Sequence, residues 1–196
     1  MPESDVLVSI LIPTIPGRER ELQEVTEAFT DQGYGQDILT TCGVYTWGEG
    51  INQLAKRAKG RYWLFACDDT VPERGWFASA QPMVDLGLCP ASRYFHPGGE
   101  PLHTWDELPG GSKLDWTRSF LVTPERYSEL GPMIDATWYS DFYYSERHNA
   151  HGYQVTACDV FNFTHLPTDR DWLNDEVDRR EREVYANAVS MIEAAS

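Results

Sequence analysis

Residues 61–69, RYWLFACDD, place an apolar run directly before two adjacent aspartates. A short, continuous apolar run is typical of a strand that is buried on both faces within a parallel sheet. Ligands of open α/β sheets bind beyond the carboxyl ends of the strands, so Asp68 and Asp69 are predicted to face a ligand crevice. Adjacent carboxylates repel each other, and Mg²⁺ or Mn²⁺ held by one or two carboxylates relieves that repulsion. A solvated turn is the alternative interpretation.

The sequence before this strand alternates between strand and helix patterns. It predicts, in order, a buried strand at 6–13 that Pro13 closes, a turn at 14–18, a helix through 22–29, a strand at 37–44, a loop at 47–50 and a helix from 51 to 58 with Gly60 after it. A β-α-β-α-β order of this kind predicts a right-handed crossover fold. We therefore expect an α/β fold with a doubly wound, mostly parallel central sheet flanked by helices.

The sequence after the two aspartates is less regular. It predicts a helix at 76–87 that breaks near Pro82, a strand at 87–95, a long surface loop at 96–113, a strand at 115–123, a helix from Pro124 to Gly131, a helix capped by Ser140 and ended by Gly152, two short strands at 154–158 and 160–165, and a helix from Trp172 onward. The chain shows no internal repeat and no linker. A single domain is predicted.

Charge and composition exclude several classes of protein. Sixteen Lys and Arg against 31 Asp and Glu give a net charge of −15, which argues against a general nucleic-acid-binding surface and disfavours duplex DNA as a partner. Hydrophobic residues at 41% and aromatic residues at 13% supply a core, which argues against wholesale disorder. A local basic or metal-holding pocket remains compatible with this balance.

The four cysteines and the apolar runs indicate a cellular compartment. Cys42, Cys67, Cys89 and Cys158 form no CxxC pair, so reduced and mostly buried thiols are predicted. The amino-terminal apolar run at 6–12 has strand length, far short of the about 20 residues that span a bilayer. The sequence therefore predicts a soluble, cytoplasmic protein with no membrane segment.

Three stretches resemble the inverting family-2-type glycosyltransferases with the GT-A fold. They are VSILIPTIPGRERELQEVTEAF at 8–29, INQLAKRAKGRYWLFACDDTVPERGWF at 51–77 and FLVTPERYSELGPMIDATWYSDFYYSERHNAHGY at 120–153. Their order and spacing match that family over roughly residues 6 to 165. The resemblance implies one GT-A-like domain over 1–196, with a donor half at about 1–95, an acceptor half at about 96–170 and a C-terminal helix at about 171–195.

The resemblance also implies a chemistry. A glycosyltransferase of this kind moves a sugar from a nucleoside-diphosphate sugar to a hydroxyl acceptor, here a protein, a glycan, a small molecule or a modified nucleobase. A divalent metal, Mn²⁺ or Mg²⁺, neutralises the charge that develops on the departing diphosphate. A carboxylate on the opposite face takes the proton of the acceptor hydroxyl, and one in-line displacement inverts the anomeric centre.

Particular residues match the motifs of the resembled family. The resemblance implies a catalytic base at Asp141, metal ligands at Asp69 and His165, and donor-binding residues at Pro13, Thr14, Arg18, Asn52 and Asp68. Each assignment has a plainer alternative: an exposed charge for Arg18, a hydrogen bond to the loop after the second strand for Asn52, an ordinary helix-terminal carboxylate for Asp141 and a strand cap for His165.

The sequence departs from the family pattern at three places, and other functions stay open. Cys67 stands where the family places a first carboxylate, no acidic residue follows the second strand to bind uracil, and Ser140 precedes Asp141 where the family prefers a carboxylate pair.

A sugar nucleotidyltransferase and a non-catalytic binding or assembly protein are the alternative functions. The C-terminal helix is predicted to pack on the domain or on a second copy, which would give a homo-oligomer.

Overall fold

The structure is a computed structural model that describes residues 6–43, 46–101, 119–137, 139–153, 155–167 and 175–195. Its strands are β1 (Val8–Thr14), β2 (Gln36–Cys42), β3 (Tyr62–Phe65), β4 (Thr70–Pro72), β5 (Cys89–Phe95), β6 (Phe120–Val122) and β7 (Val155–His165). Its helices are α1 (Glu19–Thr30), α2 (Trp47–Ala55), α3 (Trp76–Asp85), α4 (Pro124–Leu130), α5 (Ser140–Ala150) and α6 (Asp175–Ala195). The predicted β-α-β-α-β beginning is confirmed.

The seven strands form one sheet in the order β2-β1-β3-β6-β5-β7-β4. Strand β1 is parallel to both β2 and β3, and β5 is parallel to β7, whereas β6 and β4 are antiparallel to their neighbours. The pairings make five of the seven strands point the same way, which confirms the predicted mostly parallel α/β sheet. The carboxyl ends of β1, β3 and β7 therefore lie at the same edge.

The core lies on both faces of this sheet, because successive side chains of a strand point to opposite faces. All seven residues of β1 are buried, with Ile10 and Ile12 on one face and Leu11 on the other. A third, smaller cluster joins α5 to α6. No helix in the described part of the chain is long and apolar enough to cross a membrane.

The predicted boundaries of α2 are wrong at both ends. The predicted loop at 47–50 is the first turn of the helix, since Thr46 accepts the Glu49 N–H at 3.2 Å and caps it. The helix ends at Ala55 and does not reach Gly60. A Cβ at Gly60 would lie 2.3 Å from the Ser9 nitrogen, so the glycine serves a close contact with β1.

Two other predicted elements need correction. Helix α3 runs through Pro82 without a break. The two short strands predicted at 154–158 and 160–165 form one strand, β7. The pairing of β7 with β5 shifts in register after Ala91 and Ala157, which accounts for the two separate patterns in the sequence.

Some predictions fall outside the described residues, and one cysteine prediction is wrong. The described part of the predicted loop, 96–101, is a tight turn, whereas 102–118 and the predicted helix start at Trp172 lie outside the described residues. The three described cysteines are free thiols, but only Cys89 is buried. Cys42 is exposed because it ends the edge strand β2, and Cys67 is half-buried.

Candidate active site

Five side chains meet beyond the carboxyl ends of the parallel strands. Thr14 ends β1, Arg18 precedes α1, Asp68 and Asp69 follow β3, and His165 ends β7. We call these five residues the carboxylate cluster. Both aspartates are buried, at 5% and 8% exposure, three and four residues after the end of β3, whose four residues are all buried. The two aspartates at the predicted edge of the crevice are therefore buried.

Hydrogen bonds join the carboxylate cluster across long stretches of sequence. The Thr14 hydroxyl donates to Asp68 Oδ2 at 2.6 Å, and Arg18 Nη1 donates to Asp68 Oδ1 at 2.8 Å. The same Arg18 nitrogen lies 3.3 Å from Asp69 Oδ2, and His165 Nε2 lies 3.5 Å from that oxygen. One guanidinium therefore bridges both carboxylates, and His165 approaches one of them from the other strand.

The electrostatics of the cluster follow from burial and from this bridge. Burial raises the pKa of Asp68, and the neighbouring Asp69 adds to the rise, while the Thr14 hydrogen bond and the Arg18 charge oppose it. Burial alone would lower the pKa of Arg18, but the two aspartates outweigh it and the pKa is raised. Arg18 thus stays charged between the two carboxylates.

Backbone contacts fix the position of His165 beside Asp69. Strand β4 pairs Thr70 with His165, and the Leu166 N–H donates to the Asp69 carbonyl oxygen at 2.7 Å. On the other side, the Trp47 indole N–H donates to the Ala66 carbonyl oxygen at 3.2 Å, two residues before Asp68. The turn that carries the aspartates is therefore held from β7 and from α2.

Pro13 and Asn52 stand in different surroundings. Pro13 is buried in β1 beside Thr14 and opposite Thr41, in the position predicted for a backbone contact to a donor. Asn52 accepts the Met133 N–H at 2.8 Å and the Tyr127 hydroxyl at 2.7 Å, and it donates to the Met133 carbonyl oxygen at 2.9 Å. The predicted hydrogen bond to the loop after β2 is wrong, because Asn52 binds the segment after α4.

Asp141 lies on a different element, in the first turn of α5. It is 7% exposed, and its Oδ1 accepts the Phe142 N–H at 2.9 Å. The predicted capping by Ser140 is wrong. Tyr139 occupies the cap position, and the Ser140 hydroxyl donates instead to the Ile134 carbonyl oxygen at 2.8 Å.

Residues 133–137 and 139–141 lead into α5, and we call them the base-side segment. The start of α2 holds this segment closely: the Thr46 hydroxyl donates to Asp135 Oδ1 at 2.6 Å, and the Gly48 N–H donates to the Ala136 carbonyl oxygen at 3.0 Å. A Cβ at Gly48 would lie 1.9 Å from the Ile134 carbonyl oxygen, so only glycine fits there. Helix α2 thus contacts both the turn that carries the two aspartates and the base-side segment.

The residues that could hold a metal are few. Within the described ranges, no group of three or more His, Cys, Asp or Glu side chains could hold a metal ion. Asp69 Oδ2 and His165 Nε2 are 3.5 Å apart, and two ligands about 2.1 Å from one octahedral or tetrahedral ion lie about 3.0 to 3.5 Å apart. This pair therefore fits a two-ligand site whose remaining ligands come from phosphate and water.

Sequence reasoning missed several residues of the base-side region. They are Thr46, Asp135, Thr137 and Glu181, which hydrogen-bond to or within the base-side segment. None belongs to a motif with a chemical signature. The apolar spacing of α6 indicated that the helix packs on the domain or on a second copy, but it did not single out Glu181.

The fold is similar to solved structures of nucleotide-sugar-binding proteins. TarS from S. aureus in complex with UDP-GlcNAc aligns with a TM-score of 0.68 at 10% identity, covering 95% of this chain and 65% of that one. The mannosyltransferase PcManGT from Pyrobaculum calidifontis, in complex with GDP-Man and Mn²⁺, aligns with a TM-score of 0.66 at 12% identity, covering 93% of this chain and 64% of that one. These likenesses confirm the GT-A-like fold.

The sequence comparisons add no relative to these structures. No known sequence family and no curated protein matches the chain. The chain also spans less than two thirds of the length of the solved structures it resembles.

Proposed function

We propose that the chain is a glycosyltransferase that moves a sugar from a nucleoside-diphosphate sugar to a hydroxyl acceptor, with inversion and with the assistance of a divalent metal. The carboxylate cluster carries this proposal. It lies beyond the ends of β1, β3 and β7, where open α/β sheets bind ligands. Structures of the same fold hold UDP-GlcNAc and GDP-Man, which supports a nucleotide-sugar donor.

The donor side of the reaction belongs to the cluster and to β1. Pro13 and Thr14 line the pocket from the end of β1, and Asp68 contacts the ribose. Arg18, which stays charged between the two carboxylates, contacts a phosphate of the donor. Asn52 is also assigned to donor binding by the family resemblance alone, since its described hydrogen bonds hold Met133 and Tyr127 outside the carboxylate cluster.

A divalent cation fits beside Asp69 and His165, the pair whose ligand atoms are 3.5 Å apart. When bound, such a cation, Mn²⁺ or Mg²⁺, neutralises the negative charge of the leaving diphosphate. The Mn²⁺ found with PcManGT supports this assignment. The chain's own task is to hold Asp69 and His165 together, which the β4–β7 pairing does.

The acceptor side belongs to Asp141. An ionised carboxylate can accept the proton of the acceptor hydroxyl as general base. As the proton leaves, the acceptor oxygen bonds to the anomeric carbon and the bond from that carbon to the diphosphate oxygen breaks. The diphosphate leaves with the electron pair, so a single displacement inverts the anomeric centre.

A non-catalytic binding protein with this fold is the second candidate. Arg18 already neutralises part of the charge of Asp68 and Asp69, and the described residues hold only a two-ligand metal site. For the first candidate, the glycosyltransferase, we propose a cytoplasmic location and an acceptor that is a protein, a glycan, a small molecule or a modified nucleobase. A homo-oligomer through the C-terminal helix stays a prediction, since α6 packs on α5 of its own chain.

The first experiment measures nucleotide binding. Isothermal titration with UDP and GDP, each with and without Mn²⁺, should show binding that needs both components. Asp69→Ala should abolish that binding, and Glu24→Ala, an exposed carboxylate on α1, should leave it unchanged. Equal nucleotide affinity in wild type and Asp69→Ala would contradict the metal assignment.

The second experiment measures transfer. Mass spectrometry after incubation with mixed nucleotide sugars and a cell lysate should detect a glycosylated product, and NMR of its anomeric proton should show the inverted configuration. Metal-dependent nucleotide binding without any product would favour the non-catalytic candidate. A product with the donor's own configuration would refute the inverting mechanism.

A further inference from the structure

Helix α6 lies against the turn of the chain that carries Asp141. The ring of Tyr185 on α6 packs on Tyr139 and Phe142, with ring centroids 5.4 and 6.4 Å apart. Tyr139 and Phe142 directly flank Ser140 and Asp141 in sequence. The contact between the two helices is therefore centred on the first turn of α5.

A buried carboxylate of α6 binds the backbone of the base-side segment. Glu181 is 6% exposed, and its Oε1 accepts the Thr137 N–H at 2.9 Å. Burial of a carboxylate is unfavourable unless hydrogen bonds compensate for the lost water. This bond therefore fixes both the register of α6 and the position of the Thr137 backbone.

The base-side segment lacks helix and strand structure from 133 to 137, where one backbone hydrogen bond, from the Ala136 N–H to the Ile134 carbonyl oxygen at 2.9 Å, is described within it. Two helices define it from outside. Helix α2 binds it through Thr46 and Gly48, and α6 binds it through Glu181. Thr137 receives contacts from both helices, since its hydroxyl also accepts the Trp47 N–H at 3.4 Å.

Electrostatics also connect α6 to Asp141. Burial raises the pKa of Tyr185 to about 12, and the negative charges of Glu146 and Asp141 add to the rise. Tyr185 therefore stays neutral, and its ring covers one side of the turn without adding a charge that would compete for the proton.

We propose that α6 positions Asp141 for proton abstraction, with Glu181 and Tyr185 as its positioning residues. This inference rests on the proposed function, because it assumes that Asp141 is the base. Glu181 acts through Thr137 and the base-side segment, and Tyr185 acts through Tyr139 and Phe142. A displacement of a catalytic group by about 1 Å can lower a rate by about 10²-fold, so loss of this support should appear mainly in kcat.

The test compares three variants of α6. Glu181→Ala removes the acceptor for the Thr137 N–H, Glu181→Gln keeps an oxygen that can accept it, and Glu183→Ala removes a 63%-exposed carboxylate of the same helix. We expect Glu181→Ala to lower kcat by about 10- to 100-fold, with donor KM and nucleotide affinity changed less than about twofold. Glu181→Gln should retain most of the wild-type kcat, and Glu183→Ala all of it.

Hydrogen exchange gives a readout that does not depend on catalysis. In Glu181→Ala the amides of 133–141 should exchange faster than in wild type, while those of β1 and β3 keep their protection. A wild-type kcat in Glu181→Ala would overturn the proposal. An equal loss of kcat and nucleotide affinity, together with faster exchange throughout the chain, would also overturn it.

Two further outcomes are decided by the same measurements. If the wild type transfers no sugar, the proposed function fails and the role in proton abstraction fails with it, whereas the exchange of 133–141 in Glu181→Ala against Glu183→Ala still decides whether Glu181 holds this segment. If Glu181→Ala does not fold, Glu181→Met replaces it, because methionine keeps most of the volume and accepts no strong hydrogen bond. A wild-type kcat in Glu181→Met would then overturn the proposal.

Discussion

The carboxylate cluster and the base-side segment are built in different ways. In the cluster, side chains at the ends of buried strands bind one another directly, through Thr14, Arg18 and the two aspartates. In the base-side segment, an irregular backbone is bound from outside by two helices. The sheet therefore fixes the geometry of the carboxylate cluster, whereas the shape of the base-side segment depends on contacts with α2 and α6.

This difference suggests how each region should respond to substitution. A change at a strand end leaves the ladder of the sheet intact, so we expect it to alter charge and binding with little loss of stability. A change beside the base-side segment removes part of the support of an irregular backbone. We expect stability and the rate of transfer to fall together there.

Asp141→Asn should have the largest effect. The amide keeps the shape of the side chain and removes its basicity, so transfer should fall by about 10²- to 10⁴-fold, the usual contribution of a positioned base. The proposed nucleotide and metal contacts lie in the other region, so both affinities should hardly change. Steady-state kinetics and calorimetry of the same preparation measure both quantities. A near wild-type rate, or a loss of nucleotide binding, would show that Asp141 is not the base.

Acid should destabilise α5, the helix that carries the proposed base. His148 is fully buried, its Nδ1–H donates to the Tyr144 carbonyl oxygen, and burial lowers its pKa from 6.5 to about 4. The folded state therefore favours neutral His148. The stabilisation that neutral His148 gives to the folded state is fully present above pH 6.5. It is lost as the pH drops from 6.5 through 4, and the loss is at most about 3 kcal/mol.

Urea unfolding at several pH values between 4 and 7 measures this loss. His148→Gln cannot be protonated, so its stability should fall less steeply over the same range. Other buried or paired groups titrate as well, and the difference between the two slopes isolates His148. Parallel slopes for wild type and His148→Gln would contradict the expectation.

Gly48→Ala should destabilise the contact between α2 and the base-side segment. The added Cβ would lie 1.9 Å from the Ile134 carbonyl oxygen and 2.3 Å from the Ser140 hydroxyl. Overpacking of this kind costs about 1 to 3 kcal/mol, and kcat should fall with it because the base-side segment must move. Gly98→Ala is the matched control, since a Cβ there would meet nothing within 4 Å. Equal unfolding midpoints for the two variants would disprove the close contact.

Arg18→Gln should have the smallest effect, with opposite signs for two ligands. Removing the cation that lies 2.8 Å from Asp68 and 3.3 Å from Asp69 should strengthen binding of Mn²⁺ alone by about 3- to 10-fold. It should weaken binding of a nucleoside diphosphate by a similar factor, because the proposed contact of Arg18 to phosphate is lost. Titration with each ligand separately measures both. Changes of the same sign for both ligands would contradict the assigned role of Arg18.

The sequence predicted the sheet side of the molecule well, because buried parallel strands have continuous apolar runs. The run before Asp68 and Asp69 located β3 and the crevice edge. Arg18 and His165 join the same cluster, and here the family resemblance, not periodicity, singled out the residues. Hydrogen bonds between residues 50 positions apart leave no periodic signal in a single sequence.

The base-side region was harder to predict, for reasons that individual residues make clear. Gly48 and Gly50 suggested a loop, because glycine disfavours helices, yet Gly48 is there to admit the Ile134 carbonyl oxygen. Ser140 has the side chain of a helix cap and binds another partner. Glu181 looks like any surface glutamate of an amphipathic helix until the fold buries it.

The long sequence separations within both regions bear on how the protein folds. Thr14 and Asp68 are 54 residues apart, Thr46 and Asp135 are 89 apart, and Thr137 and Glu181 are 44 apart. Closing such long loops lowers the chain entropy before the new contacts can offset the loss. We therefore expect these contacts to form late in folding. His165 belongs to β7. A partly folded chain in which β1 has paired with β3 can therefore still lack the contact between His165 and Asp69. We therefore expect nucleotide affinity to return in the last phase of refolding, which would make a bound nucleotide a reporter of the completely folded chain.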